Sequence, residues 1–452
     1  KRNHNDKSKN LPALIWKQQQ NRTSPLKQPR TGVAHVEDEI KILKFLEEHG
    51  LDVASIQLDA ASRKNMYKKA QEGVLRTEKG KQSFLNGYPV PIHGVPGIEK
   101  ILHSIHSPFQ IRAGSPDHRL IYEIGLAGGA SSVEGGFICY LFPYDKMTSP
   151  ITNLGYWKYI DKLAASYHQQ YGIIINREYF GPLTTSLIEP TIPICINIVQ
   201  TILSAKAGVK SICVSLAEQG NRSQDIAAIQ VLYKTTQFYL TKYGITDCNL
   251  STVFHQYMAA FPTDLEKGCD LIVNSSATAA LAKVNKVMIK TPVESFKIPT
   301  RQDNAYALQL TQEGFDKAAD MTIDWPTIDL EIRILEKQVL AMMSYIELLG
   351  AGSLAKGALK AFHQGVLDIP FSPSRYNCNL LMTARDINGA IRFINPENLP
   401  FDDETKEFHE NKIHQRKVQE RITKITDLLE QDLTRIWKND YLRWPLDGNY
   451  IT

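Results

Sequence analysis

The sequence lacks several of the patterns by which classes of protein are recognised. It has only six cysteines among 452 residues, and they form neither a CxxC pair nor a Cys/His spacing suited to zinc. No apolar run reaches the roughly 18 residues that a membrane span requires, and the polar, basic start does not resemble a signal peptide. We therefore expect a cytoplasmic protein with reduced thiols, no metal site and no membrane association.

An excess of charge of one sign is also missing. The 52 basic residues nearly balance the 48 acidic ones, which leaves a net charge of +4. This balance argues against nucleic-acid binding by bulk electrostatics. Neither GxGxxG nor GxxxxGK[ST] follows an apolar run, and this absence disfavours a dinucleotide-binding or P-loop fold.

Short apolar runs alternate with helical patterns over much of the chain. Eight such runs are DVASIQLD, YPVPIHG, FQIRAG, ASSVEGG, YGIIINREYFG, SICVSLAEQ, NLSTVFHQYM and KVMIKTP. Near-continuous apolar strands separated by helices indicate a parallel sheet that is covered on both sides. About eight units favour an α/β fold of the (β/α)8 TIM-barrel type over an open doubly wound sheet.

The composition predicts three parts of the chain. Residues 1–27 are polar and form an N-terminal arm, which we expect to be a solvated tail, helical at most around LPALIWKQQQ. Residues 28–300 form the barrel that carries the active site. Residues 301–452 form a mainly helical C-terminal extension packing on the barrel, because TIDLEIRILEKQVLAMMSYIELLG and SLAKGALKAFHQGVLD are amphipathic. Within it, DINGAIRFIN indicates a small strand next to an Asn-Gly turn.

Polar side chains stand where the predicted strands end, which is where TIM barrels place their active sites. These residues are Asp59, His93, Arg112, Glu134, Glu178, Glu218, His255 and Lys290. They predict one barrel mouth lined by mixed charges, without a cluster spaced as metal ligands. For any one of them, a solvated strand-end loop is the alternative.

The stretch IRAGSPDHRLIYEIGLAGGASSVEGGFICYLFPY, residues 111–144, carries the densest combination of such features. Arg112 offers a planar fork to a carboxylate or phosphate, and the glycine pairs around Glu134 allow the backbone to approach a ligand closely. This predicts a pocket for a charged small molecule. The alternative is a surface arginine followed by an ordinary flexible loop.

Many motifs in one order resemble a known family, the large (epsilon, or E) subunit of glutamate mutase, also called methylaspartate mutase. The motifs are QPRTGVA, ASRKNMY, SFLNGYPV, RAGSPDHRL, AGGASSVEGG, INREYFGPLT, TVFHQYM, KVMIKTPVE and AFHQGVLDIPFSPSRYN. The resemblance implies a (β/α)8 barrel and an adenosylcobalamin-dependent isomerase. It further implies a radical rearrangement that interconverts L-glutamate and L-threo-3-methylaspartate.

The resemblance also implies partners. A separate small cobalamin-binding subunit with a DxHxxG motif would cap the barrel mouth, and this chain contains no such motif. The expected assembly is a heterotetramer, with a dimer of large subunits and two small ones.

Roles for individual residues follow from the same resemblance. It implies that the carboxylates of an amino-dicarboxylate substrate are bound by Arg30, Arg63 and Arg112. The expected catalytic base for the substrate ammonium is Glu134. The remaining residues comprise two pocket tyrosines, two adenosyl-ribose contacts and two residues that line the same cavity: Tyr140, Tyr144, Lys290, Glu294, Asn86 and Phe180.

The sequence departs from the family pattern near this expected site. Ala113 replaces a histidine, Tyr257 replaces a tryptophan, and AGGASSVEGGF differs from AGGWTSNEGGG. The substrate is therefore glutamate or a close amino dicarboxylate. Two alternatives stay open: a non-catalytic barrel that binds an amino dicarboxylate, and a lyase with a Schiff base at Lys290.

Overall fold

Eight parallel strands form the centre of the computed structural model, which describes residues 4, 6–80, 83–179 and 187–434. The strands are β1 (Leu26–Gln28), β2 (Ala54–Gln57), β3 (Phe109–Arg112), β4 (Ser132–Glu134), β5 (Asn176–Glu178), β6 (Ser211–Ala217), β7 (Asn249–His255) and β8 (Lys286–Met288). Each strand pairs with the next one along the chain from β2 to β8, and β8 pairs with β1. This order confirms the predicted TIM barrel.

The barrel closes between β1 and β2 just beyond the end of β1. Thr31 forms an isolated parallel bridge with Ile56, and its carbonyl accepts a hydrogen bond of 2.8 Å from the Gln57 amide. The Ser55 hydroxyl donates to the Pro29 carbonyl at 2.8 Å. These bonds supply the backbone partners that an open edge would lack.

Helices alternate with the strands and cover the outside of the sheet. They are α2 (Val36–Glu47), α3 (Ala60–Arg63), α4 (Tyr67–Lys79), α5 (Val90–Ser104), α6 (Arg119–Gly128), α7 (Pro150–Tyr171), α8 (Thr191–Lys206), α9 (Arg222–Lys242), α10 (Leu265–Leu281) and α11 (Arg301–Lys317). The helix α8 is apolar nearly all round, and most of its residues are buried. It packs against β6 on one side and α9 on the other, so both faces are covered.

One predicted strand is wrong. YPVPIHG leads into α5, whose second position is Pro91, because proline has no N–H to give a sheet and suits the first turn of a helix. His93 therefore lies on that helix, where its Nε2 contacts the Ala34 carbonyl at 2.7 Å, and it does not end a strand. The eighth strand is β1 instead.

The N-terminal segment contains the helix α1 (Leu11–Asn21), at the place where LPALIWKQQQ predicted a helix, but the expectation of a solvated tail is wrong because one side of this helix is buried. Leu11 and Ile15 are buried in a cluster with Leu26, Val53, Cys213 and Val253. A side chain of this helix also forms a hydrogen bond to backbone near the start of a strand: the Gln19 amide donates to the Leu250 carbonyl of β7 at 2.8 Å. The helix thus covers the N-terminal end of the barrel, opposite the mouth.

In the described residues, the C-terminal region adds four α-helices and a hairpin. They comprise α12 (Trp325–Gly350), α13 (Leu354–His363), β9 (Thr383–Arg385), β10 (Ile391–Phe393), α14 (Asp403–Glu420) and α15 (Ile425–Thr434). The antiparallel pairing of β9 with β10 places the predicted Asn-Gly turn between them. A buried ion pair from Arg392 to Glu331 ties the hairpin to α12. This arrangement confirms the predicted helical C-terminal part.

Across the described ranges, no single helix is long and apolar enough to cross a membrane. The pair α12 and α13, bent by 105°, meets the length and composition criteria only when its two helices are taken together.

Candidate active site

The register of the sheet places charged residues side by side where the strands end. Arg112 of β3 stands opposite Glu134 of β4, which stands opposite Glu178 of β5. Except for His93, the residues expected at strand ends lie at the carboxyl ends of strands or within two residues of them. They are all buried: Asp59, Arg112, Glu134, Glu178, Glu218, His255 and Lys290. A single mouth of mixed charge results.

Arg112 bridges two carboxylates inside the barrel. Its NH2 lies 3.2 Å from Glu134 Oε1, and its NH1 lies 3.2 Å from Glu178 Oε1. NH1 also donates to Gln110 Oε1 at 3.1 Å. The Nε of Arg112 is buried and has no hydrogen-bond partner among the described residues. This guanidinium is therefore fixed on one side and retains a free donor on the other.

Glu134 has the environment of a general base. Tyr140 donates its hydroxyl proton to Glu134 Oε2, and the side chain is fully buried. Burial raises the pKa of Glu134 to about 7, with Glu178 adding to the rise and Arg112 opposing it. A carboxyl group with a pKa near neutrality can take up and release a proton at physiological pH.

The backbone around Glu134 is held by side chains that the sequence alone did not single out. Tyr122 donates its hydroxyl proton to the Glu134 carbonyl. Arg177 donates to the carbonyls of Val133 and Gly135, both at 2.9 Å, and pairs with Asp161 at 2.8 Å. A charged residue inside the apolar strand pattern IIINREYF is the signal that could have identified Arg177. These contacts fix the direction in which Glu134 projects.

A second charged group lies across the mouth, after β8. Glu294 accepts from Lys290 at 2.6 Å and pairs with Arg30 at 3.0 Å. Burial lowers the pKa of Lys290 to about 8, and Arg30 adds to the decrease. For Glu294, Arg30 and Lys290 outweigh the opposing effect of burial and bring the pKa down to about 2. The carboxylate is therefore ionised at any physiological pH.

One cavity of about 600 Å³ opens at this mouth. Its lining is strongly cationic, with five basic side chains and one acid: Arg30, Arg63, Arg112, Lys64, Lys146 and Asp145. Tyr140 and Tyr144 also line it, with ring centroids 5.9 Å apart. The cavity thus brings together the three arginines and both tyrosines expected at the substrate site, and its charge suits an anionic ligand.

Other expected residues fall outside the cavity lining or outside the described ranges. Asn86 is exposed at the start of α3, where its Oδ1 accepts from the Ala60 amide at 3.2 Å. Phe180 lies outside the described residues. Lys290 and Glu294 do not line the cavity. Glu294 pairs with Arg30, which does line it, and Lys290 pairs with Glu294. Within the described ranges, no group of His, Cys, Asp and Glu side chains could hold a metal ion.

Two residues that differ from the family pattern are buried beside the site. Ala113 is completely buried directly after Arg112, and its carbonyl lies 3.5 Å from the Tyr122 hydroxyl. Tyr257 follows β7, and its amide donates to Glu218 Oε2 at 3.1 Å. Ala113 therefore neighbours the Arg112–Glu134 pair directly, whereas Tyr257 contacts the Glu218 side of the mouth.

The fold and the mouth together define a class of protein: a TIM barrel with a cationic cavity and a buried arginine–carboxylate pair at its mouth. The chain belongs to the methylaspartate mutase E chain family, whose model matches residues 6–439. It is therefore a subunit of the mutase class.

Individual relatives agree with this assignment. The glutamate mutase epsilon subunit of Desulfitobacterium hafniense is 39% identical over 391 residues, which cover 86% of this chain and 81% of the relative. The corresponding subunit of Treponema denticola is also 39% identical, covering 86% of this chain and 80% of the relative. That of Escherichia coli O157:H7 is 38% identical, with coverage of 86% and 81%.

The solved structures that align with this chain do so at low TM-scores. A 3-deoxy-D-arabino-heptulosonate 7-phosphate synthase from Thermotoga maritima aligns with a TM-score of 0.35 at 13% identity, over 66% of this chain and 87% of that one. A tryptophan synthase alpha subunit from Legionella pneumophila aligns with a TM-score of 0.37 at 10% identity, over 67% of this chain and 97% of that one. The assignment of the fold comes from the strand order above.

Proposed function

We propose that this chain is the catalytic subunit of an adenosylcobalamin-dependent mutase. The reaction is a radical carbon-skeleton rearrangement that interconverts L-glutamate and L-threo-3-methylaspartate, or a close amino dicarboxylate. The observation that carries this proposal is the single cavity in which Arg30, Arg63 and Arg112 meet, with Arg112 paired to the buried Glu134. Membership of the mutase family supports it.

The arginines account for recognition of the substrate. An amino dicarboxylate has two negative ends, and guanidinium groups can bind each end through paired hydrogen bonds. Arg112 offers its Nε, which has no hydrogen-bond partner among the described residues. The Nε of Arg63 donates to the Leu58 carbonyl at 2.9 Å, which leaves the terminal nitrogens of Arg63 to bind a substrate carboxylate. Arg30 supplies the third contact. Three fixed cations select a ligand with two carboxylates over a monocarboxylic acid.

Glu134 accounts for handling of the substrate ammonium. Its oxygens already accept from Arg112 and Tyr140, so its position is fixed before the substrate arrives. With a pKa of about 7, raised by burial, it can take a proton from the ammonium group. Removal of that proton leaves an amine, whose nitrogen lone pair eases fragmentation of the substrate skeleton.

The residues after β8 fit the ribose of adenosylcobalamin. A lysine ammonium and a carboxylate 2.6 Å apart offer a donor and an acceptor to a pair of hydroxyl groups. When bound, adenosylcobalamin supplies the radical that starts the rearrangement. The chain contributes enclosure and orientation, for which the buried mouth is suited. The corrin is held by a separate small subunit with a DxHxxG motif, and two large subunits pair in the assembly.

Reconstitution tests this proposal. The full chain, a small cobalamin-binding subunit with a DxHxxG motif and adenosylcobalamin are mixed with L-glutamate or L-threo-3-methylaspartate. We expect turnover, a cob(II)alamin signal in electron paramagnetic resonance and deuterium exchange into the substrate. Absence of all three with both substrates, while the chain is folded, would overturn the proposal. Binding of glutamate by calorimetry without any of the three would instead favour a non-catalytic dicarboxylate-binding barrel.

A lyase with a Schiff base at Lys290 is the second candidate. It is favoured by one observation, that burial lowers the pKa of Lys290 to about 8 and so eases formation of the free amine. The ion pair with Glu294 opposes it because it stabilises the ammonium form. Borohydride treatment in the presence of a 2-oxo acid would trap a covalent adduct at Lys290 if this activity existed.

A further inference from the structure

Glu178 lies between two cations inside the barrel, Arg112 and Lys286, and it is not among the residues expected to contact the substrate. Its Oε1 lies 3.2 Å from Arg112 NH1, and its Oε2 lies 2.5 Å from Lys286 Nζ. The Gln110 amide also donates to Oε2 at 3.0 Å. Both oxygens thus accept hydrogen bonds from partners within the barrel, and none of the carboxylate is accessible to solvent.

Lys286 explains why Glu178 remains a carboxylate in this setting. The Lys286 ammonium is completely buried and also donates to Gln28 Oε1. Burial raises the pKa of Glu178, but Lys286 and Arg112 outweigh this effect and hold the pKa below its usual value. Charges therefore alternate along the barrel interior from Lys286 through Glu178 and Arg112 to Glu134. A buried charge is tolerated when it is paired in this way.

The hydrogen bond from Arg112 to Glu178 determines which nitrogens of the guanidinium remain for other partners. Arg112 NH1 donates to both Glu178 and Gln110, whereas NH2 donates to Glu134. The Nε and NH2 protons lie along one edge of a guanidinium, and this edge can bind a carboxylate through two parallel bonds. Nε has no partner in the described part of the chain, so that edge is only half used.

We propose that Glu178 is a positioning residue: by holding NH1 of Arg112, it keeps the Nε–NH2 edge available for a substrate carboxylate. Without Glu178, Arg112 turns toward Glu134 and pairs with both of its oxygens. The pocket then loses a carboxylate anchor, and both oxygens of the buried base Glu134 are occupied by Arg112. This inference rests on the proposed function, since it names what orients one of the substrate contacts.

Loss of Glu178 also changes the proton affinity of Glu134. The charged and titratable groups that surround Glu134 come from several elements: Arg112 on β3, Glu178 on β5, Lys286 on β8, Tyr122 on α6 and Tyr140 after β4. Removing the negative Glu178 and closing Arg112 onto Glu134 both favour ionised Glu134. The acidic limb of the pH–rate profile is therefore expected to move to lower pH.

Three variants test the inference in the reconstituted enzyme. E178Q keeps the shape but removes the charge, and E178Q/K286M removes both charges so that no unpaired ammonium is left in the barrel. E331Q is the matched control, because Glu331 is an equally buried carboxylate that pairs with Arg392 in the C-terminal region. For E178Q we expect a roughly 100-fold loss of kcat/KM and an acidic limb at lower pH. E331Q keeps the wild-type profile.

The outcomes separate this inference from the proposed function. In a crystal structure of E178Q, or of E178Q/K286M if the single variant does not fold, we expect Arg112 paired through two bonds with Glu134. An unmoved Arg112, or an unchanged affinity for glutamate by calorimetry with an unchanged pH limb, overturns the positioning role. If the wild-type chain neither binds nor converts glutamate, the proposed function fails, and the position of Arg112 in the variant still decides the inference.

Discussion

Arg30 and Glu294 form an ion pair of 3.0 Å at the barrel mouth, and the same carboxylate accepts a hydrogen bond from Lys290. A residue expected to bind the substrate is thereby joined to two residues expected to bind the cofactor. The carboxylate of Glu294 occupies part of the surface that Arg30 would offer to a substrate carboxylate. We therefore expect the two binding events to be coupled through one side chain.

This pairing predicts that E294Q binds glutamate more tightly than the wild type when no cobalamin subunit is present. The variant releases Arg30 and removes one negative charge beside the cavity, so we expect an affinity gain of roughly two- to fivefold, as is typical of partly exposed pairs. Titration calorimetry on the isolated chain measures it. The control is E313Q, which breaks an exposed pair with Lys317. Weaker or equal binding by E294Q would contradict the coupling.

The pKa of Glu134 predicts a pH dependence of the reaction. Burial raises this pKa to about 7, so the carboxyl is protonated below that pH and cannot accept a proton from the substrate. We expect kcat/KM of the reconstituted enzyme to fall tenfold for each pH unit below about 7. In E134Q this limb disappears and the rate is lower by roughly 10² to 10⁴. A flat profile from about pH 6 to 8 would exclude Glu134 as the base.

Gly135 predicts a sharp steric effect beside the same carboxylate. Its φ is +120°, and a methyl group there would overlap the Tyr140 ring and lie 2.7 Å from Trp157. G135A should therefore destabilise the fold by about 1–3 kcal/mol and displace the tyrosine that donates to Glu134. Urea unfolding and kcat measure the two effects.

Gly155 provides the matched control for this substitution. It lies within α7, and a methyl group there meets nothing within 4 Å. G155A should raise the free energy of unfolding by roughly 0.5–1 kcal/mol, because alanine restricts the unfolded chain and favours the helix. Equal effects of both substitutions would mean that the space around Gly135 is not restrictive.

The N-terminal helix predicts that the first residues contribute to stability. Leu11 has no accessible surface and packs among the inner residues of the strands, so L11A should lower the free energy of unfolding by about 2–5 kcal/mol. Trp16, on the same helix, is 56% exposed, and W16A should change the free energy of unfolding by no more than about 0.5 kcal/mol. Chemical denaturation compares the two. Similar small effects would mean that α1 detaches without loss.

The two errors in the strand prediction have different physical causes. The strand β1 has the sequence LKQ, and Gln28 points into a barrel interior that also contains Gln110 and Lys286. Because this interior is polar, a strand that faces it need not consist of apolar residues. YPVPIHG has the apolar composition of a strand but carries prolines, which end sheet pairing and start a helix.

Sequence by itself determined the family, the barrel and the identity of the charged residues at the strand ends, because these follow from local patterns and ordered motifs. Tertiary structure alone decided which of these charges meet. Arg30 contacts Glu294 across 264 positions, and Lys286 contacts Glu178 across 108. Closure of the sheet between β1 and β2 brings the side chains of distant strands into one interior. The pair of Lys286 with Glu178 across the interior depends on that closure, whereas the contacts of Arg112 with Glu134 and Glu178 follow from the register of β3, β4 and β5.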